Sequence, residues 1–335
     1  MENMTWTDWV RWCHADQSPS NIDATLLTLL DLSDQSKYRT PILTAHLEEY
    51  GHIAAGYVVL YPGAIGSLGN LRFCAQPESG NTPSMEHIER EMLASVIRTL
   101  CDAAFEQGVE LVQTISQLLV TSDTDRDVPS SAELDSARDL ALASAGMKAV
   151  AKLVQMERDE NSRPLALPPF QSGALGFKHH HEISTRDWHT ILEATYCETL
   201  DIPELNGVRS IEHTLEGYAS TQPSVPRTWW VIQDDCVNIG CLLLTPNEDQ
   251  QCELTYLGLA PSSRGKGHSR VIMDYLEGWA TSHGIQRMTL AVDIRNTPAI
   301  RLYRSRGFVA ERYVQAWINV SEPERKVTLG KSDPR

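Results

Sequence analysis

The chain has 335 residues, 41% of them hydrophobic and 22% charged, and a formal net charge of −15. That length suggests two domains, each with its own core, and no apolar run approaches the roughly 20 residues of a membrane-spanning helix, so no membrane partner is expected. The acidic balance argues against nucleic acid, which is gripped by clustered Lys and Arg.

The opening MENMTWTDWVRW lacks the apolar core of a secretory signal, so a cytoplasmic protein is expected. The seven cysteines are odd in number and include no CxxC pair, which fits reduced thiols better than a disulfide framework or a zinc site. In the first half, HIAAGYVVLYPG and GNLRFCAQPE read as a strand pair, MEHIEREMLASVIRTLCDAAFEQ as a helix and GVELVQTISQL as a strand. A short helix, SARDLALASAG, then leads into the strand MKAVAKLVQM.

From Glu157 to Gly176 charges give way to prolines and small residues, the composition of a linker. KHHHEI follows at 178–183; read as a strand, its neighbouring side chains alternate faces, so the three histidines would not converge on a metal, and none is expected. TWWVIQDDCVNIGCLLLTPN gives two strands turning at Asp234 and Asp235, and ELTYLGLAP gives a third. After the loop SSRGKGHS, Val271, Ile272, Tyr275, Leu276 and Trp279 recur at helical spacing until His283 and Gly284. The strand MTLAVDI, a short helix capped by Thr297 with Pro298 at its first position, and one or two strands in FVAERYVQAWI complete the half. Aligning AFEQG (104–108) with ATSHG (280–284), and Gly146 with Gly307, writes one fold twice.

The loop at 264–269 sits where helix-start amides lack partners and attract phosphate, and its glycines let backbone approach a ligand. A Walker loop is excluded because Ala260 stands where its first glycine belongs; Arg270 in place of a third glycine excludes a dinucleotide fingerprint. An ordinary glycine-containing turn is the remaining plain reading.

Residues 254–308 resemble the general-control-related N-acetyltransferase (GNAT) superfamily. Its signature [Q/R]-x-x-G-x-[G/A] reads Arg264, Gly265, Lys266, Gly267, His268, Ser269, departing only at Ser269. Its second, N-x-x-A-x-x-[L/F]-Y-x-x-x-G-F, is complete in Asn296, Ala299, Leu302, Tyr303, Gly307 and Phe308. The resemblance implies an α/β fold of two tandem domains, each a mixed sheet flanked by helices: 1–158 degenerate, 159–177 linker, 178–325 catalytic, 326–335 tail. It also implies acetyl-CoA as co-substrate, its pantetheine arm on Leu257, Gly258 and Leu259, its diphosphate on the amides of 264–269, and Asn296 flanking the thiol.

Tyr303 takes the family's general-acid position, and the amide of Leu257 or Leu259 would polarise the thioester. Glu253, placed by alternation with Thr255 and Leu257, is the candidate base, as against an exposed strand-end acid. Glu198, Asp201 and Glu204 lie where the fold covers the acceptor. Lys266, Arg301, Arg304 and Arg306 would lie near the phosphates or on a solvated face. In the first half Leu142 replaces the tyrosine, and Asn81 and Pro83 replace the loop glycines, so that copy is expected to be silent. The leading function is N-acetylation of a small primary amine, with a protein or peptide acceptor, or CoA binding without turnover, as alternatives.

Overall fold

A computed structural model describes residues 42–49, 52–69, 71–74, 85–118, 137–160, 175–220, 228–247 and 249–321. By contacts the chain forms two compact units, one of residues 1–114, 134–148 and 317–335, the other of 115–133 and 149–316. Residues 149–158, grouped with the first half on sequence, thus pack in the second unit, because their strand pairs there along seven residues.

In the first unit, β1 (Ile42–Glu49) and β2 (His52–Tyr61) form an antiparallel hairpin, and β2 also pairs with β3 (Ile65–Leu68) and β4 (Arg72–Cys74). β1 and β3 are additional to the strands read from sequence. The 22-residue α1 (Met85–Glu106) leads into β5 (Leu111–Gln117), which runs parallel to β3, so the sheet is mixed. Along α1, Met92, Val96, Ile97, Leu100 and Ala104 recur at helical spacing and pack with Ala54 and Val58 of β2. Leu142 of α2 (Ala137–Ser144) and Trp317 close this core, in which each fully buried large aliphatic side chain contributes about 1.5–3 kcal/mol.

The second unit contains β6 (Lys148–Asp159), β7 (Leu175–His179), α3 (Thr185–Tyr196), α4 (Ile211–Ser220), β8 (Trp229–Asp234) and β9 (Val237–Pro246). There follow β10 (Gln251–Leu259), α5 (His268–Ser282), β11 (Arg287–Asp293), α6 (Thr297–Ser305) and β12 (Val309–Val320), whose last residues belong to the first unit. Strands run β7-β8-β9-β10-β11-β6, antiparallel except for β10 with β11. One core joins α5 and α6 to the sheet through Ile272, Leu276, Ile300, Leu242 and Leu254; another joins α3 through Trp188, Leu192, Cys241 and Leu243.

The repeat is visible in helix endings. The Val109 amide donates to Ala104 O and the Ile285 amide to Ala280 O; Met147 donates to Leu142 O and Phe308 to Tyr303 O. In all four, a glycine with φ between 68° and 86° precedes the donor, the left-handed residue this ending requires.

Three local expectations shift. The β8–β9 turn lies at Asp235 and Cys236, both at positive φ as a two-residue hairpin loop demands, one position later than read. The α6 cap is Asn296 rather than Thr297, because the Asn side chain reaches the Ala299 amide at 3.3 Å; Pro298 accordingly falls in the second helical position. The histidine triplet is not a continuous strand: β7 ends at His179 and a 3-10 turn follows, so the His179 and His181 rings stack with centroids 5.3 Å apart. Among the described residues no group of His, Cys, Asp and Glu is placed to hold a metal, and no helix is long and apolar enough to cross a membrane. Linker residues 161–174, loop residues 75–84 with Asn81 and Pro83, and the tail 326–335 lie outside the described residues.

Candidate active site

β10 and β11 pair only from Gln251↔Arg287 to Glu253↔Thr289. β10 then stays on β9 to Leu259↔Gly240, and β11 on β6 to Asp293↔Leu153, so the two parallel strands part and leave an open angle. Which amides face the gap follows from ladder alternation. Ala260 N donates to Ile239 O at 2.9 Å; Gly258 and Ala260 therefore point their amides at β9, and Leu257 and Leu259 point theirs into the gap. Across it, Ile294 N donates to Lys152 O, which leaves the Asp293 amide facing inward. Gly258 is needed for packing, since a Cβ there would lie 2.7 Å from Thr195 Cβ.

The β10 register slips between Leu254 and Tyr256. This bulge corrects the placement of Glu253: Glu253 is opposite Thr245 and Thr255 bonds Thr245 side chain to side chain, so both share the face of Tyr256, while Leu257 is opposite Leu242 on the other face. One extra residue flips every later side chain, and simple alternation misses it. The Glu253 side chain is exposed by area, yet surrounding protein desolvates its carboxyl and raises its pKa above the ordinary value. Among the described residues nothing pairs with that carboxyl.

At the loop, Gly265 and Gly267 have φ of 75° and 85°, and a Cβ on either would meet nothing within 4 Å, so backbone conformation rather than crowding selects glycine. Gly267 is the N-cap of α5. Among the described residues, no protein acceptor takes the amides of Gly265, Lys266, Gly267, His268 or Ser269. The Arg264 side chain points elsewhere: it donates to Leu259 O (2.9 Å), Thr195 O (3.0 Å), Cys197 O (2.7 Å) and Glu198 O (2.9 Å), a cation set at the C-terminal end of α3. His268 Nε2 lies 3.8 Å from Asp234. Lys266, Arg301 and Arg304 are exposed, whereas Arg306 binds Asp274 at 2.5 Å and the Arg270 carbonyl.

Tyr303 projects from α6 into the α5-side core, 7% exposed, its ring edge-on to Phe308 at 5.9 Å. Among the described residues nothing hydrogen-bonds its hydroxyl. Burial, and then the charge of Asp201, push its pKa well above the usual tyrosine value, so the proton is held firmly. Asn296 spends its side-chain oxygen on the helix cap.

The loop with Asp201 and Glu204, both candidates from sequence, is tied to Asp293 and Arg295, which sequence reading left out. The Asp201 carboxylate accepts from the inward Asp293 amide at 2.8 Å, and the Ile202 amide donates to Asp293 Oδ2 at 3.2 Å. Arg295 holds the fully buried Asp293 at 2.6 Å and forks onto Glu204 at 2.6 and 2.8 Å, which keeps the Glu204 carboxyl below its ordinary value. Tyr196 and Tyr218 share a hydroxyl contact at 3.1 Å, and Thr195 meets Tyr256 at 2.9 Å. Asp293 and Arg295 belong to neither signature, and only the strand-to-helix junction at 293–296 could have drawn attention to them. A separate cleft of about 600 Å³, walled by Trp230, Tyr275, Trp279 and His283, lies toward the other end of α5. Trp279 is twelve residues from Gly267, on the order of 18 Å along the helix, so the cleft is not the loop site.

The second unit thus combines a mixed sheet opened between two parallel strands, a glycine loop at the start of α5 and a buried tyrosine on α6. Residues 189–308 match the acetyltransferase (GNAT) family, which places an N-acetyltransferase domain in the second half of the chain. A GCN5-related N-acetyltransferase from Sphaerobacter thermophilus shares the fold at 13% identity, covering 93% of this chain and 90% of that one, with a TM-score of 0.52. A functionally unknown conserved protein from Staphylococcus epidermidis is 11% identical, covering 87% and 98%, at 0.50. A tandem GNAT protein from the clavulanic acid biosynthesis pathway is 13% identical, covering 90% and 95%, at 0.47. No curated protein sequence matches the chain significantly.

Proposed function

We propose that the second unit moves the acetyl group of acetyl-CoA onto a primary amine of a small molecule, with Tyr303 as proton donor. The observation that carries this reading is the row of unpaired amides from Gly265 to Ser269, continued by the inward amides of Leu257 and Leu259. An anion fits the first set, at the positive end of α5, and an amide-bearing chain fits the second. The residues present therefore suit coenzyme A, which supplies the activated acetyl group when bound.

Transfer makes a C–N bond, breaks a C–S bond and shifts one proton from nitrogen to sulfur. Glu253, unpaired and raised in pKa, takes the amine proton, and Tyr303 gives its own to the departing sulfur. An inward amide of β10 steadies the negative charge that builds on the carbonyl oxygen. The site needs no metal for these steps. The test has two readouts: calorimetric binding of coenzyme A, and free-thiol release from acetyl-CoA across a panel of polyamines, amino acids, aminoglycosides and peptides. Binding with release on small amines is expected; release on peptides alone would replace the acceptor class, and no release on any acceptor would contradict the enzyme reading.

A further inference from the structure

The open angle between β10 and β11 is entered from the α3 side by the loop Thr199–Leu205, and one charged group of that loop lies inside it. Asp293 ends β11 four residues beyond Thr289, the last residue that pairs with β10, and Leu257 lies four beyond Glu253 on β10. The two are thus level across the gap, save for the bulge. In a closed ladder the Asp293 amide would bond β10; here it bonds the Asp201 carboxylate at 2.8 Å. Asp201 therefore sits at the level of the amide assigned to the thioester carbonyl.

Its setting is built rather than incidental. Ile202, a β-branched residue, is held at φ 43°, a strained left-handed conformation fixed by the bond from its amide to Asp293 Oδ2. The Asp201 amide is itself bound by Thr199 Oγ1 at 3.1 Å. Arg295, the cation at this end of β11, hydrogen-bonds Asp293 and Glu204 and reaches Asp201 only through charge, and Arg264 is spent on carbonyls, so among the described residues no cation hydrogen-bonds Asp201, whose burial raises its carboxyl above the ordinary value. Arg209 acts on Tyr218 from the start of α4 and donates to the His213 carbonyl. Tyr303, more than nine-tenths buried and with an unpartnered hydroxyl among the described residues, feels the charge of Asp201 without a hydrogen bond between them.

We propose that the Asp201 carboxylate, seated on the Asp293 amide inside the open angle, receives a second ammonium group of the acceptor, so that the preferred substrate is a short diamine or polyamine. The inference rests on the acetyltransferase reading above and specifies its acceptor. The reacting nitrogen must be neutral beside the thioester, so a group that stays charged has to dock elsewhere, and Asp201 is an acid inside the gap that no cation hydrogen-bonds among the described residues. A carboxylate in the same place would be repelled by Asp201, Asp293 and Glu204, three acids against Arg295.

n-Butylamine, 1,4-diaminobutane and 4-aminobutanoate share a chain and differ at the far end, which isolates the effect. The wild type is expected to prefer the diamine in kcat/KM by about tenfold over n-butylamine, the scale of one hydrogen bond to a charged group, and to use 4-aminobutanoate least. Asp201→Asn keeps an oxygen for the Asp293 amide and removes the charge. It is expected to raise KM for the diamine about tenfold more than KM for n-butylamine, shift kcat for both amines by the same factor, and abolish the heat of binding 1,4-diaminobutane to the coenzyme A-saturated protein. Coenzyme A affinity and melting temperature report whether the variant is folded; if it is not, Asp201→Glu, which keeps the charge, must retain the diamine preference. Wild-type turnover without diamine preference, or a folded Asp201→Asn variant that keeps it, overturns this inference and leaves the acetyltransferase reading standing. Failure of the wild type to release thiol with any amine overturns both.

Discussion

Tyr303 combines a buried ring with a hydroxyl left unpartnered among the described residues, and a merely structural tyrosine would ordinarily satisfy that hydroxyl. Tyr303→Phe is expected to lower kcat about 10²–10⁴-fold while coenzyme A binds as before, measured by thiol release and calorimetry; unchanged turnover would remove it from the chemistry. Glu253 sets the acid side. A base must be deprotonated, and desolvation raises this carboxyl, so kcat/KM should fall as pH drops through a value above the ordinary glutamate pKa of about 4.3. In Glu253→Gln that limb should disappear with most of the activity, and its persistence would assign the base to another group. Tyr303 was legible because its signature fixes both neighbours and spacing. The partners of Asp201 were not, because Asp293 and Arg295 act through a backbone amide and a shared guanidinium that no local pattern encodes.

At the scale of elements, the glycine loop and the helix behind it were readable from residue type and period, since left-handed φ at Gly267 leaves little alternative. Gly267→Ala is expected to lower stability by about 1–2 kcal/mol from backbone strain alone, because its Cβ would meet nothing, and to weaken coenzyme A binding as the amides rotate. Chemical denaturation and calorimetry separate the two effects. The bulge in β10 was not readable: nothing in Leu254-Thr255-Tyr256 marks an extra residue, and it decides which face Glu253 takes. Nor was the tie between α5 and the end of α6, where Arg158 bonds the fully buried Glu277 at 2.9 Å and the Arg306 carbonyl at 2.9 Å. Glu277→Ala removes one of the two carboxylates on that buried guanidinium, Glu160 being the other, and should cost about 1.5–3 kcal/mol in a denaturant titration; a loss below about 1 kcal/mol would show that Glu160 alone suffices.

For the whole molecule, the duplicated helix endings show one fold used twice, while the proposed chemistry belongs to one copy. Leu142, fully buried in the first unit at the position equivalent to Tyr303, has no proton to give. Coenzyme A should accordingly bind at one site per chain, and a stoichiometry of two by calorimetry would return the first unit to the account. The sequence halves made the repeat legible, but contacts divide the chain differently, since strand pairing places residues 149–158 beside β11. A crystal structure of the full chain with coenzyme A would show directly which amides hold the diphosphate. The diphosphate is expected within hydrogen-bond distance of the amides from Gly265 to Ser269, and the pantetheine arm along Leu257 and Leu259. A diphosphate bound anywhere else, with those amides left to solvent, would contradict that placement.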